Sequence, residues 1–413
     1  MRRPAGIFAS ALLWSMPLWL LILSAFIPGG TLNVWTLIFS SLLLLNGALI
    51  ALMTRQNPRP AALITAALFV IFIGFARYQG WLATGMSDYA ALAACGAIAF
   101  TAYCAGSRSL QTEQIWQFMM LLGGVLAGYA VFQLGPFAKN AALLSVFTPA
   151  HVANLHAITA LLALAEIARS CHRTSRISAP GWPRLVVSGL IIPGAVLILS
   201  LTALLMSGAS AAIIALIIAM LVFLLLERIT AGGLRLTLPG TLSGTLMILA
   251  VGGGVFLLAG DMLLPFYQSL GDQTAHLPRL LAYWDAVGIE PIFGHGLGGF
   301  PFANDLALSV ENEGLLLGRE SAGNLYLQWL IQTGAAGFAV MSLLILTGMI
   351  HLCAGLRGRH RNLSRLRAII AVIVFFGLHG LVDDALEIPV YAWLASWLFG
   401  LGLGMAGARG RHG

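Results

Sequence analysis

The stretch that decides the fold is residues 208–226, which reads GASAAIIALIIAMLVFLLL and contains no charged residue. A helix needs about 20 apolar residues to cross the hydrocarbon core of a bilayer, so this stretch predicts a membrane-spanning helix. The rest of the 413-residue chain has a similar character, with 59% hydrophobic and 9% charged residues. Soluble domains carry about 25% charged residues. The composition therefore excludes a soluble globular protein, and four cysteines are too few for a disulfide scaffold.

Eleven further stretches have similar length and hydropathy, so the sequence predicts an all-α polytopic membrane protein with about twelve transmembrane helices. The predicted spans are 8–27, 32–53, 61–83, 88–105, 115–134, 151–168, 185–206, 208–226, 240–262, 324–352, 368–382 and 389–407. The first span resembles a signal peptide, but no small-residue cleavage site followed by a soluble domain is seen, so we expect it to be retained.

The charged residues are distributed unevenly over the two sides that twelve spans define. Eighteen of the 22 basic residues fall on the side of the termini, whereas 12 of the 15 acidic residues fall on the other side. The positive-inside rule therefore predicts that both termini are cytoplasmic. Because the net charge of +7 is spread over short loops, it indicates topology, and we expect no nucleic-acid partner.

One predicted loop is much longer than the others and covers residues 263–322. It divides the chain into helices 1–9 (1–262), the outer loop, and helices 10–12 (323–413). Long ordered loops on rigid scaffolds often carry function, although a simple external decoration is the alternative. Within this loop, residues 280–289 read LLAYWDAVGI and predict an amphipathic helix that lies on the membrane surface.

Basic residues are scarce on the outer side, which makes those in the loop candidates for binding an anion. The guanidinium group of Arg279 can hold a phosphate or pyrophosphate through paired hydrogen bonds. The alternatives are a lipid-headgroup anchor or an ion pair with Asp272 or Asp285. For Arg319, the adjacent Glu320 favours a local ion pair.

Histidines near the outer side are candidates for proton transfer. His379 lies in the eleventh span, one turn before Asp383 and Asp384, where it could form a proton relay, a helix–helix hydrogen bond or part of an active site. His295 lies in the glycine-rich run 294–299, which lacks the lysine and the preceding strand of a phosphate-binding loop.

Several motifs between residues 265 and 390, together with the twelve-span layout, resemble the O-antigen ligase and polymerase superfamily. They are Arg279-Leu280-Leu281-Ala282-Tyr283-Trp284, Pro291-Ile292-Phe293-Gly294-His295-Gly296-Leu297-Gly298-Gly299-Phe300, Asn324-Leu325-Tyr326-Leu327-Gln328, Thr333-Gly334-Ala335-Ala336-Gly337 and His379-Gly380-Leu381-Val382-Asp383.

The resemblance implies a GT-C-like fold and a reaction. A glycan is transferred from undecaprenyl pyrophosphate to a sugar hydroxyl at the periplasmic face of the bacterial inner membrane, by an inverting glycosyltransferase that needs no metal or cofactor. The acceptor is lipid A-core in ligases and a second lipid-linked repeat in polymerases. We favour the ligase, with the polymerase as the alternative within the family. A transporter is the alternative of a different class, but the chain shows no internal repeat.

The resemblance also implies which residues form the site. Arg279 matches the family's loop arginine, which would hold the pyrophosphate. The family's histidine, which precedes Asn324 in the motif, is replaced here by Gly323, and an arginine after a serine is replaced by Gly208. Since glycine neither accepts a proton nor binds phosphate, we expect slow transfer. The nearest candidates to replace the two side chains are His295, His379 and Arg319.

Overall fold

The computed structural model describes residues 14–21, 23, 32–54, 86–134, 149–174, 189–230, 276–357 and 362–407. The described residues form helices joined by turns and contain no strand. The helices are α1 (Leu32–Thr54), α2 (Met86–Gly106), α3 (Ser109–Leu134), α4 (Pro149–Thr174), α5 (Ile191–Met206), α6 (Ser210–Thr230), α7 (His276–Ile289), α8 (Phe300–Ala307), α9 (Glu313–Leu316), α10 (Leu325–Gly355), α11 (Leu363–His379), the 3₁₀ helix Ala385–Glu387 and α12 (Pro389–Gly407).

Seven of the described helices are long and apolar enough to cross a membrane: α1, α2, α3, α4, α6, α10 and α12. Helix α5 is apolar but shorter. The prediction of an all-helical, multi-pass membrane protein is therefore confirmed. The predicted spans 61–83 and 240–262 lie outside the described residues, and 8–27 is described only in part, so the number twelve stays a prediction.

The described residues belong to two compact units. The first contains residues 1–108, 273–351 and 380–408. In this unit α2 packs against both α1 and α12. Gly400 and Gly404 of α12 lie directly on the backbone of Ala99 and Tyr103, so that a Cβ atom at either glycine would overlap with α2. Small residues allow two apolar helices to approach this closely.

The second unit contains residues 109–272, 352–379 and 409–413, and buried ion pairs join its helices. Arg365 on α11 contacts Glu166 on α4 at 2.6 Å, and Arg367 forms an ion pair with Glu227 on α6. Both arginines are almost completely buried, at 0% and 1% exposure. Helix α11 begins at residue 363, five residues before the predicted span. This earlier start is possible because Arg365 and Arg367 in its first turns form ion pairs with Glu166 and Glu227 inside the unit.

Helix α10 was predicted as one continuous span, but it is broken at Gly334, which has φ 61° and ψ −173°. Only glycine adopts such a conformation without strain. The break leaves a first half, residues 325–333, and a second half, residues 335–355. At 1.5 Å per residue the second half is about 30 Å long, which matches the hydrocarbon core of a bilayer without the first half.

The backbone groups that the break exposes are satisfied by the glycine-rich run. The N–H groups of His295 and Gly296 donate to the carbonyls of Ile331 and Gln332, at 2.9 and 2.8 Å. In the other direction, the N–H groups that open the second half donate to residues just before the run. Ala335 donates to Pro291 O at 2.9 Å, and Ala336 donates to Ile292 O at 3.0 Å.

Glycines allow the backbone of the glycine-rich run to pass very close to the backbone of α10 at the break. A Cβ atom at Gly294 would lie 2.5 Å from the backbone nitrogen of Gly334, and one at Gly334 would overlap with the carbonyl of Ile292. The two glycine-containing motifs, 291–300 and 333–337, are therefore the two sides of one backbone crossing.

Candidate functional site

Helix α7 is held against α8, α9 and the start of α10 by a small apolar core. Tyr283 and Phe300 pack edge to face, with ring centroids 5.2 Å apart. The Tyr283 hydroxyl donates to Asn304 Oδ1 at 2.8 Å, and Asn304 Nδ2 donates to the Leu316 carbonyl at 3.2 Å. The fully or nearly fully buried members of this core are Tyr283, Phe300, Ala303, Leu316, Ala322, Leu327 and Ile331. This core keeps the segment 313–323 beside α7.

The packing brings Arg279 and Gly323 together, although 44 positions separate them in sequence. A Cβ atom at residue 323 would lie 3.9 Å from Nη1 of Arg279, an ordinary van der Waals contact. Gly323 has φ 65°, in the left-handed region. The space where a side chain at position 323 would begin is thus next to the guanidinium group.

Arg279 has no anionic partner among the residues that the structure describes. Its Nε atom is buried and makes no hydrogen bond. Of the two carboxylates that the sequence suggested, Asp285 forms no ion pair with it, and Asp272 lies outside the described residues.

Arg319 reaches the same corner of the unit. Nε of Arg319 donates to the Leu315 carbonyl at 3.4 Å, and the local ion pair with Glu320 that the sequence favoured does not form. Burial lowers the pKa of Arg279, and the positive charge of Arg319 lowers it further. Burial also raises the pKa of Tyr283 to about 12. Two neighbouring guanidinium groups without a described carboxylate favour the binding of an anion with more than one charge.

Asn324 positions the site through both polar atoms of its side chain. Oδ1 accepts the backbone N–H of Leu327 at 2.9 Å, so Asn324 caps the N-terminus of α10. Nδ2 donates to the Leu381 carbonyl at 2.6 Å, and the N–H of Leu325 donates to the Gly380 carbonyl at 2.8 Å. The start of α10 is thereby tied to the segment that follows α11, and Gly323 is placed beside Arg279.

His295 lies at the other end of the first half of α10. Its Nδ1 is 3.2 Å from the Ile331 carbonyl, which places the ring proton on Nδ1, and its Nε2 is buried without a partner among the described residues. The Ile331 carbonyl lies eight positions after Gly323 in the chain, so His295 and Arg279 approach opposite ends of the first half of α10.

Glu387 is a titratable group that sequence reasoning missed. Its Oε2 accepts a hydrogen bond from Gln332 Nε2 at 3.1 Å. Burial is the main reason that the pKa of Glu387 is raised to about 7. The carboxylates of Asp384 and Asp88 also raise this pKa, whereas hydrogen bonds from Gln332 and Trp329 lower it. The sequence contained a signal for this residue, because a carboxylate between two apolar membrane helices is rare and indicates a functional or structural role.

The remaining two candidates belong to the second unit. His379 is buried, stacks on Phe375 with ring centroids 5.5 Å apart, and hydrogen-bonds through Nδ1 to Asn154 Oδ1 at 3.0 Å. Gly208 has φ 69° in the tight turn between α5 and α6, where the Ser207 hydroxyl donates to the Leu204 carbonyl at 2.6 Å. Arg279, Arg319, Gly323 and Asn324 all belong to the first unit.

No described group of three or more His, Cys, Asp or Glu side chains could hold a metal ion. Among the described residues, Cys95, Cys104, Cys171 and Cys353 form no disulfide.

Part of the chain matches a known protein family. Residues 195–342, about a third of the sequence, match the family model described as O-antigen ligase. The matched range begins in α5 and ends in the second half of α10, so it includes Gly208, Arg279, Gly323 and the break at Gly334, but not the motif 379–383. No curated protein matches the chain. Over residues 195–342 the match confirms what the motifs predicted, that the chain is similar to the O-antigen ligase and polymerase superfamily.

Proposed function

We propose that the protein is an O-antigen ligase, which transfers a glycan from undecaprenyl pyrophosphate to lipid A-core. The reaction takes place at the periplasmic face of the bacterial inner membrane, with both chain termini in the cytoplasm. The family match supports a membrane enzyme of the glycosyltransferase type. The uneven distribution of basic residues supports the orientation.

The observation that carries this proposal is the pairing of Arg279 with Arg319 beside the space at Gly323. When the glycosidic bond to the carrier breaks, negative charge accumulates on the leaving pyrophosphate. Guanidinium groups that are already in place stabilise this charge without reorganising. Two cations also match a diphosphate better than a single cation does.

The acceptor hydroxyl reacts without a neighbouring histidine in this proposal. Gly323 supplies no base, His295 contacts the Ile331 carbonyl, and Glu387 contacts Gln332. The acceptor oxygen bonds to the anomeric carbon as the bond from that carbon to the pyrophosphate oxygen breaks, and the hydroxyl proton passes to solvent water. Because the pyrophosphate is a stabilised leaving group, transfer proceeds, but more slowly than with a general base, which typically contributes 10²–10⁴-fold.

The test uses purified full-length protein with a defined undecaprenyl pyrophosphate-linked glycan. Lipid A-core is offered as one acceptor, and a second lipid-linked repeat as the other. Capped core supports the ligase, and an elongated lipid-linked chain supports the polymerase instead. No product with either acceptor, from protein that is folded and inserted, would reject glycosyl transfer and favour a transporter.

A further inference from the structure

Helix α7 has one packed face and one exposed face. The packed face carries Tyr283 and Ala286, which are both fully buried. On the exposed face, Leu281 is 62% exposed, Trp284 is 61% exposed and Ile289 is 48% exposed. Three large apolar side chains on the outer face of one short helix indicate contact with something other than water.

The position of α7 relative to the membrane follows from the break in α10. The residues just after α7 accept hydrogen bonds from the first residues of the second half of α10, through Pro291 O and Ile292 O. That half, residues 335–355, is about as long as the hydrocarbon core is thick. Its first residues therefore lie at the boundary of the bilayer, and so does the end of α7.

Both α7 and the second half of α10 expose large apolar side chains. The second half of α10 exposes Leu343, Leu346 and Ile350, as a helix surrounded by lipid does. At the level of the break, Ile292 is also exposed. Exposed apolar side chains thus occur on α7, beside the break and along the second half of α10, and this favours the bilayer as the partner of α7.

Asp285 lies on the exposed face of α7, between the apolar side chains. A carboxylate is costly in hydrocarbon but is tolerated among headgroups, so it limits the depth to which the helix inserts. Tryptophan is itself enriched at this level of a membrane.

We propose that α7 lies flat in the membrane interface, with Leu281, Trp284 and Ile289 in contact with lipid, and that this places Arg279 at headgroup depth. The consequence for the donor rests on the proposed function. A carrier lipid keeps its tail in the bilayer and its pyrophosphate among the headgroups, so the interface helix brings Arg279 to the level of the pyrophosphate.

The first test measures depth and does not depend on activity. Full-length protein and its Trp284→Phe variant are reconstituted in vesicles whose lipids carry bromine either near the glycerol end or near the methyl end of the acyl chain. The fluorescence difference between the two proteins isolates Trp284. We expect stronger quenching by the shallow bromine than by the deep one. Quenching by aqueous iodide alone would overturn the proposal.

The second test compares donors. Leu281→Gln with Trp284→Gln should raise KM at least about threefold for the undecaprenyl pyrophosphate-linked glycan and leave KM unchanged for the same glycan on a short, water-soluble prenyl pyrophosphate. Val310→Gln, which changes a residue exposed outside α7, is the matched control and should affect neither value. An equal rise of KM for both donors would contradict the inference. Loss of Arg279 should impair both donors, so the two proposals can fail separately.

Discussion

Arg279 is the residue whose replacement should affect transfer most directly, because its guanidinium group is partly desolvated and has no described counterion. Arg279→Ala should lower kcat/KM by about tenfold to a hundredfold. This range corresponds to the loss of a hydrogen bond to a charged group, which contributes about 1.5–3 kcal/mol. Arg279→Lys should restore only part of the rate, since an ammonium group does not replace a planar fork.

The control for this prediction is Arg357→Ala, which removes an exposed arginine at the end of α10. Arg319→Ala should lower the rate less than Arg279→Ala does, because Arg319 is exposed and its charge is better screened. Transfer by Arg279→Ala at the parent rate, in protein shown to be folded, would refute the assigned role.

Gly323 offers a gain-of-function experiment at the same site. Gly323→His should raise the transfer rate at least about tenfold, within the general-base range. The φ of 65° at this position strains most side chains, but histidine tolerates the left-handed region better than most. The neighbouring Arg279 disfavours a second positive charge, so the imidazole stays neutral and able to accept a proton.

A different result at position 323 would assign the proton acceptor to another residue. If Gly323→His leaves the rate unchanged while His295→Ala or His379→Ala abolishes it, the proton acceptor is one of those histidines. His295 is the candidate of the two in the first unit, with its buried Nε2 free of a described partner.

At the scale of elements, the 3₁₀ helix 385–387 makes stability depend on pH through Glu387. Between the ordinary pKa of 4.5 and the raised value of about 7, the unfolded chain has lost the proton that the folded protein keeps. Stability therefore falls as the pH rises through this range and is greatest below it. Glu387→Gln should remove this dependence and raise stability at pH 8 by about 1–3 kcal/mol, since one pKa unit corresponds to 1.36 kcal/mol.

Thermal unfolding in detergent at pH 5.5 and at pH 8 measures this effect. The parent should lose Tm between the two values, and Glu387→Gln should lose less. An equal loss in both proteins would show that Glu387 keeps an ordinary pKa.

The backbone crossing at the break of α10 is a second element that can be tested. Gly294→Ala should destabilise the protein by about 1–3 kcal/mol, because its Cβ would overlap with Gly334 and its φ is 66°. Gly288→Ala is the matched control, since a Cβ there meets nothing within 4 Å. In the exposed face of a helix, this change should be neutral or stabilising. Equal Tm values for the two variants would contradict the close crossing.

At the scale of the whole molecule, the orientation in the membrane is a prediction of the charge distribution. A reporter that is active in the cytoplasm should be active when fused at Arg409, and a reporter that is active in the periplasm should be active when fused near Asp305. The expectation rests on the 18 of 22 basic residues on the side of the termini. An external C-terminus would reject the twelve-span layout.

The sequence predicted more of the architecture than of the site. Apolar length alone identifies most membrane helices, and helix α12 has the predicted bounds 389–407. The proximity of Arg279 and Gly323 could not be predicted from spacing, because it depends on how Tyr283, Phe300 and Leu316 pack between distant segments. The break at Gly334 could not be predicted for a similar reason, because the residues whose backbone groups pair with it lie some forty residues earlier in the chain.

That break has a consequence for the order of synthesis. The run 291–296 leaves the ribosome before the residues that satisfy it, 331–336, and at about 5–20 residues per second it waits several seconds for them. Asn324 waits longer still, since the Leu381 carbonyl that it binds is 57 residues away. The segment 276–323 therefore completes its contacts only after α10 and the residues that follow α11 have been synthesised. A chain truncated before residue 380 should contain both Arg279 and Arg319. It should lack the hydrogen bond from Asn324 to the Leu381 carbonyl, which aligns the start of α10 with them.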